Sequence, residues 1–403
     1  MEQLNFQNEI ETVLRQARKE RGHVNILIAG RTGVGKSTLI NSVFQGDFAE
    51  TGQGKPVTTG TTKITKENIP LSIYDTRGLE MKDYKETVQE LKDLIKKLST
   101  NDPNDHIHAA WVCIAEPSAR IEVAEQDLVK MLSKEGIPVI VVITKATSYN
   151  KDFKRKVEDI LQEARKVICV NSIETRIENN DEEIVIKPKG LDKLVEVTSQ
   201  VVPDGQKSAF IASQKVDIEK KKSESLRIVG RAAALAAGIG AVPIPFSDAV
   251  SIVPIQIGMI AKISAIFGLP INIAFMHTML ASTITGSVGT ITGKAIVSNF
   301  LKILPGFNIS AGVVHAAVAS GITTTFGQAY ITVLATLFIK NNGVPPTGEE
   351  VLKAFKEQYE KSKSESKHEE HDQESESKHE EHDQESESKH EEHDQESESE
   401  QDK

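Results

Sequence analysis

The chain has 403 residues, enough for two or three domains that each bury a core of their own. Its formal net charge of −10 is concentrated at one end: residues 361–403 hold six Lys against 18 Asp/Glu, which leaves the remaining body at +2 and removes the electrostatic ground for nucleic-acid binding. Cys113 and Cys169, the two cysteines, each sit inside an apolar run, which excludes a disulfide framework and fits a reducing, cytoplasmic location. The start Met1-Glu2-Gln3-Leu4-Asn5 has neither the basic nor the apolar stretch of a signal peptide.

Leu4, Ile10, Val13, Leu14 and Ala17 recur at helical spacing and predict an N-terminal helix over 1–21. Residues 22–205 read as an open α/β domain with a mostly parallel sheet. Val24-Asn25-Ile26-Leu27-Ile28-Ala29 is a short apolar run of the kind that forms a buried parallel strand. Gly30-Arg31-Thr32-Gly33-Val34-Gly35-Lys36-Ser37 follows it and satisfies Gly-x-x-x-x-Gly-Lys-Ser, and the helical pattern Ser37–Phe44 comes next. Strand, loop and helix in that order predict a phosphate-binding loop, whose glycines let successive N–H groups and the helix dipole face an anion. Gly30, Gly33, Val34, Gly35, Lys36, Ser37 and Thr38 are therefore candidate nucleotide-binding residues. Lys36 would reach the β- and γ-phosphates, and the Ser37 hydroxyl is placed to ligate Mg2+.

The stretch Glu50–Thr62 is rich in Gly and Thr, has no apolar period and predicts a mobile loop. Leu71-Ser72-Ile73-Tyr74 predicts a strand running into Asp75-Thr76-Arg77-Gly78. Asp75 at that strand end can hold Mg2+, and Gly78 can offer its N–H to a γ-phosphate. Ala109–Ala115 and Pro138–Ile143 are further buried strands. Glu116 follows the first of them at the carboxyl edge of the sheet, where ligands of open α/β sheets bind. His106 and His108, beside Asn101–Asp105, hint at a metal pair but fit a polar loop better.

Together the loop Gly30–Ser37, the Thr-rich segment near 60, the Asp75-x-x-Gly78 turn and the Thr144-Lys145 turn resemble the translation-factor-type P-loop GTPases, in their Era-like and septin-like branch. That resemblance spans about residues 22–203 and implies GTP/GDP and Mg2+ as ligands. It makes Thr62 the switch threonine that closes on Mg2+ and the γ-phosphate, with Thr61 as fallback, and gives catalytic roles to Lys36, Thr62 and Gly78. It assigns Mg2+ to Ser37, Thr62 and Asp75, and guanine contacts to Thr144, Lys145, Asn171 and Ser172. It also implies a G-domain homodimer, since this branch often dimerises across nucleotide faces. Two departures stand out. Thr147 occupies the place of the Asp that accepts from guanine, so guanine choice over adenine is left open, with Asp152 a nearby acid. Leu79 occupies the place of the Gln that orients the attacking water in Ras-like GTPases, which implies slow intrinsic hydrolysis.

Beyond Pro203 the composition changes. Residues 206–227 predict a charged, exposed connecting helix, and 228–345 an apolar helical domain. From Arg231 to Ile339 the formally charged residues are Arg231, Asp248, Lys262, Lys294 and Lys302 alone. Such a region fits either contact with a bilayer or a buried helical bundle, and Gly230, Ala234 and Gly238 would let helix backbones approach closely in both. Asp248 reads as a helix cap. Through Ala241-Val242-Pro243-Ile244-Pro245-Phe246-Ser247-Asp248 the region resembles the Gly/Ala-rich C-terminal helical domain of unknown function attached to some Era-like GTPases, and the plan of leading helix, G domain and helical tail domain is similar to immunity-related GTPases that act on membranes. Residues 346–360 predict a short helix. Residues 361–403 repeat an 11-residue unit, Ser364–Glu374, from Ser375 and again from Ser386; with almost no apolar residue to bury, this predicts a disordered acidic tail.

The leading expectation is a slow GTPase switch that controls the apolar helical domain, cytoplasmic or at a membrane surface. The alternatives are a nucleotide-dependent scaffold with little hydrolysis and a ribosome-associated GTPase. Absence of a basic RNA-binding module weighs against the last.

Overall fold

In the computed structural model, residues 2–46, 48, 53–56, 58, 60–76, 84–179, 182–240, 248–269, 275, 315–354 and 357 are described. Arg77, Gly78, Leu79, His277 and the acidic repeats lie outside them. The apolar runs form a seven-stranded sheet in the order β2-β3-β4-β1-β5-β6-β7. Its strands are β1 (Val24–Ala29), β2 (Gln53–Pro56), β3 (Thr61–Thr65), β4 (Leu71–Thr76), β5 (Ala109–Ala115), β6 (Val139–Thr144) and β7 (Lys166–Cys169). Pairing is parallel from β4 through β7, and β2 and β3 join antiparallel.

Helices cover both faces, which explains strands that are apolar throughout rather than alternating. On one face α2 (Lys36–Val43), α6 (Leu191–Val201) and α7 (Asp204–Ser213) bury Leu39, Val43, Leu194 and Phe210 against Ile26, Ile73 and Trp111. Trp111 stacks on Phe44 with ring centroids 5.4 Å apart and donates its indole N–H to Thr198 Oγ1 at 3.1 Å. On the other face α3 (Tyr84–Leu98), α4 (Val123–Lys134) and α5 (Lys151–Ile160) pack on Leu27, Val112 and Val141. Cys113 and Cys169 are buried free thiols, and burial pushes the Cys113 thiol up to about 12.

Two expectations need correction here. The stretch Glu50–Thr62 is not wholly loop, since β2 and the start of β3 lie in it. Strand β2 is the sheet edge, where Gly54 and Pro56 are tolerated and no apolar alternation is required, so the sequence carried no strand period there. The segment 206–227 is not one exposed helix either. Helix α7 ends at Ser213, and Gln214 accepts from Asp217 N at 2.7 Å. Asp217 Oδ1 then caps Lys220 N at 2.9 Å, starting α8 (Ile218–Gly240), which runs on into the apolar region.

Helix α8 packs with α9 (Asp248–Phe267) and α10 (His315–Lys340), and α1 (Glu2–Arg21) lies along α9. The close backbone approach is not at Gly230 or Gly238, beside which a Cβ would find open space among the described residues. The tight packing is at Gly327, where a Cβ would run into the Val229 side chain. Among the described residues no helix is long and apolar enough to cross a membrane. By contact the chain divides into residues 1–277 with 315–351, to which all these elements belong, and residues 278–314 with 352–403.

At the amino end of β1 a polar knot ties the strand to the turn before β5. Asn25 N donates to His108 Nδ1 at 2.8 Å, so the other ring nitrogen carries the proton and donates to Pro103 O at 2.8 Å. Both nitrogens being spent on the backbone, the polar-loop reading of His108 holds over the metal one. His23 Nε2 meets Ser72 Oγ at 2.7 Å, and burial, helped by Lys63, lowers its pKa to about 4. A ring kept neutral in the fold but free to protonate near 6.5 once unfolded contributes stability that is complete above 6.5 and is lost as pH falls toward 4. Titration of the His23 ring signals by NMR is expected to show a midpoint near 4 in the folded chain. A midpoint at or above the free value would contradict the buried, neutral ring.

Candidate functional site

Strand β1 lies between β4 and β5, so the chain leaves its carboxyl end in one direction and returns on the other side, the position where open α/β sheets bind ligands. Gly30 to Gly35 fill that gap. Gly30, Gly33 and Gly35 have φ of 148°, 76° and 100°, the region that favours glycine. A Cβ on Gly30 would stand 2.5 Å from Cys113 O, so side chains are barred by space as well. Gly35 precedes the first turn of α2, aiming the free N–H groups of that turn into the loop. Lys36 is 8% exposed and folds back over the loop, its Nζ donating to Gly30 O at 2.7 Å and Arg31 O at 3.1 Å. Ser37 and Thr38 are exposed beside it, and Val34 is buried. Arg31 is held away on the loop's outer side by Glu122, 3.0 Å from its Nη1.

Thr62 is the direct antiparallel partner of Asp75. Residues opposite one another in such a pair share a face of the sheet. That face is the one with Ile64 and Ile73, which pack with α2, so Thr62 and Asp75 stand on the same side as Ser37. Thr61 points the other way, its hydroxyl 3.4 Å from Thr76 Oγ1. The donor set Ser37 hydroxyl, Thr62 hydroxyl and Asp75 carboxylate is all oxygen, the chemistry that Mg2+ takes. Gly78 lies outside the described residues.

Thr144, at the end of β6, donates to Val34 O at 2.6 Å and to Ile114 O at 3.3 Å, clasping the next lip of the pocket to the phosphate loop. The Lys145 stem passes over Gly35, 3.8 Å from where a Cβ would be. Ala146 N donates to Val170 O at 3.1 Å, and Ser42 of α2 donates to Ser172 O at 3.0 Å, so the turn after β7 joins the same rim. The Asn171 amide donates to Ile173 O at 2.9 Å and, more distantly, to Ile186 O and Lys187 O across the segment that follows. Asp152 extends into solvent at 96% exposure and does not reach the rim.

Glu116, singled out at the strand end, is buried, and its carboxylate accepts from Ser148 and from Asn150 N. Sequence reasoning missed the element that follows the β7 turn. A hairpin of β8 (Thr175–Asn179) and β9 (Glu182–Ile186) follows the Asn171 turn, with Ile177 opposite Ile184 and both exposed. Its alternation around Asn179-Asn180-Asp181 was the available signal.

A phosphate loop, an acid on the neighbouring strand, the β6 turn bonded to the loop and the β7 turn bonded to α2 thus gather at one end of the sheet. Residues 25–145 match the family model "50S ribosome-binding GTPase". The chain contains a P-loop GTPase domain. Residues 207–361 match a domain of unknown function, DUF697. Magnetosome membrane protein 22 of Magnetospirillum gryphiswaldense is 31% identical over 135 residues, which is 33% of this chain and 66% of that protein. GTPase Der of Dinoroseobacter shibae is 28% identical over 141 residues, 34% of this chain and 27% of that one. The chain thus spans less than two thirds of the length of these relatives. Among solved structures, Aquifex aeolicus Era bound to GDP.AlF4- is similar at 16% identity, covering 53% of this chain and 68% of that chain with a TM-score of 0.30.

Proposed function

We propose that the chain is a Mg2+-dependent GTP-binding switch that hydrolyses GTP slowly and whose nucleotide state governs the helical region beyond residue 206. The observation that carries this is the phosphate loop, with Lys36 folded over it and Thr144 and Lys145 clasped to it. On this reading the loop N–H groups and Lys36 receive the phosphates, exchanging the Gly30 and Arg31 carbonyls for phosphate oxygens. Ser37, Thr62 and Asp75 would hold Mg2+, which would supply positive charge to the phosphate oxygens. Gly78 would offer its N–H to the γ-phosphate, and Thr144, Lys145, Asn171 and Ser172 would border the base. Leu79 has no group to orient a water, which supports low turnover and gives weight to a second reading, a nucleotide-dependent scaffold.

Membrane association rests on the relative described as a magnetosome membrane protein and on the apolar composition of 231–339; a surface-bound helical region is the form it would take. Homodimerisation across the nucleotide face remains a proposal from family resemblance. Phosphate release by the purified full chain, measured with GTP and Mg2+ in the presence and absence of anionic vesicles, tests the switch. Slow, Mg2+-dependent turnover is expected, with vesicle co-sedimentation that differs between GDP and a non-hydrolysable GTP analogue. GTP bound without any turnover would leave the scaffold.

A further inference from the structure

The turn after β6 holds two non-glycine residues in the left-handed region, Lys145 at φ 52° and Tyr149 at φ 53°. A non-glycine residue in that region is strained and persists only where the surroundings impose it. Much of what imposes it is one side chain. Glu116 is 6% exposed at the end of β5, and its carboxylate accepts three bonds from the turn. Oε2 takes Ser148 N at 3.0 Å and Ser148 Oγ at 2.8 Å, and Oε1 takes Asn150 N at 2.8 Å. Asn150 in turn caps α5 through Phe153 N at 2.9 Å, so the turn is fixed to the helix that follows it. With both oxygens engaged, Glu116 is not itself a substitute for the base-contacting acid that Thr147 displaces.

We propose that Glu116 is the positioning residue for base recognition: it fixes residues 145–150 in the shape that lays the Lys145 stem over Gly35 and sets Thr147 at the rim where the base edge must lie. This rests on the GTP-binding reading above. Specificity here comes from a rigid turn rather than from a carboxylate on the base, so loosening the turn should cost base affinity and leave phosphate affinity alone.

The test is Glu116→Gln in the full chain, which keeps length but turns one acceptor into a donor facing an N–H. Calorimetry with GTP, ATP and inorganic tripolyphosphate separates base from phosphate contributions. GTP binding is expected to weaken about tenfold, with the GTP-to-ATP ratio reduced and tripolyphosphate binding unchanged. Should that variant unfold, Ser148→Ala removes a single bond and is expected to give about a threefold loss with the same pattern. Equal losses for all three ligands, or no loss for any, would overturn the proposal. If the unaltered chain binds tripolyphosphate but neither nucleotide, the GTP-binding reading falls and the proposal with it. GTP binding unchanged between wild type and E116Q removes the proposal alone.

Discussion

Lys36→Ala is expected to weaken GTP affinity by about two to three orders of magnitude, the loss that follows from removing a desolvated cation from a cluster of phosphate charges. Lys36 is 8% exposed at the closed end of a loop whose carbonyls hold its Nζ at 2.7 and 3.1 Å, so its ammonium already sits within the loop. The same truncation strips two carbonyls of a charged donor, and a stability loss of about 1–3 kcal/mol should accompany it. Folding should survive, because Leu39, Ile40 and Val43 still seat α2 in the core. Calorimetry together with thermal melting separates the two effects. A near-wild-type affinity in a folded variant would show that the loop does not receive the phosphates.

Lys221→Ala should produce the largest loss of stability, about 3–5 kcal/mol, by the joint action of a cavity and stranded carbonyls. Lys221 is fully buried, and burial drives its pKa well below the usual lysine value. Its Nζ donates to Ile211 O at 2.9 Å, Ala212 O at 2.8 Å and Ile266 O at 2.6 Å, the closing carbonyls of α7 and α9, with the Phe338 ring of α10 5.2 Å away. These helix ends are also where α2 finishes: Gln45 N donates to Ser213 O at 2.9 Å and its amide to Ala212 O at 2.6 Å. One ammonium therefore joins the end of the phosphate-loop helix to the helical region. Denaturant melts of wild type, Lys221→Ala and Lys221→Met measure this. Methionine refills the volume but not the hydrogen bonds, so it should recover only part of the loss; full recovery would mean that packing alone mattered.

Lys221 shows why the helical region was the less legible half. A lysine in a charged stretch, Glu219-Lys220-Lys221-Lys222, reads as solvated from periodicity, and only the convergence of two helix C-termini makes its burial favourable. The phosphate loop was legible because local chemistry dictates it: glycines where φ is positive, a strand before and a helix after. The buried strands were legible for the same reason, as runs of Val, Ile and Ala covered on both faces. Strand β2 was not, because an edge strand with Gly54 and Pro56 takes its pairing from β3 rather than from an apolar period. Thr62 was assigned through resemblance. Its pairing opposite Asp75 adds a geometric reason to prefer it over Thr61, although it lies in a strand rather than in a loop.

Calorimetric titration of the full chain with GTP and with ATP, each with and without Mg2+, decides whether the phosphate-loop site takes a guanine nucleotide with Mg2+. Tighter binding of GTP than ATP, weakened when Mg2+ is withheld and further weakened by Asp75→Asn, is the predicted result; equal affinity for the two nucleotides, indifferent to Mg2+, would contradict it.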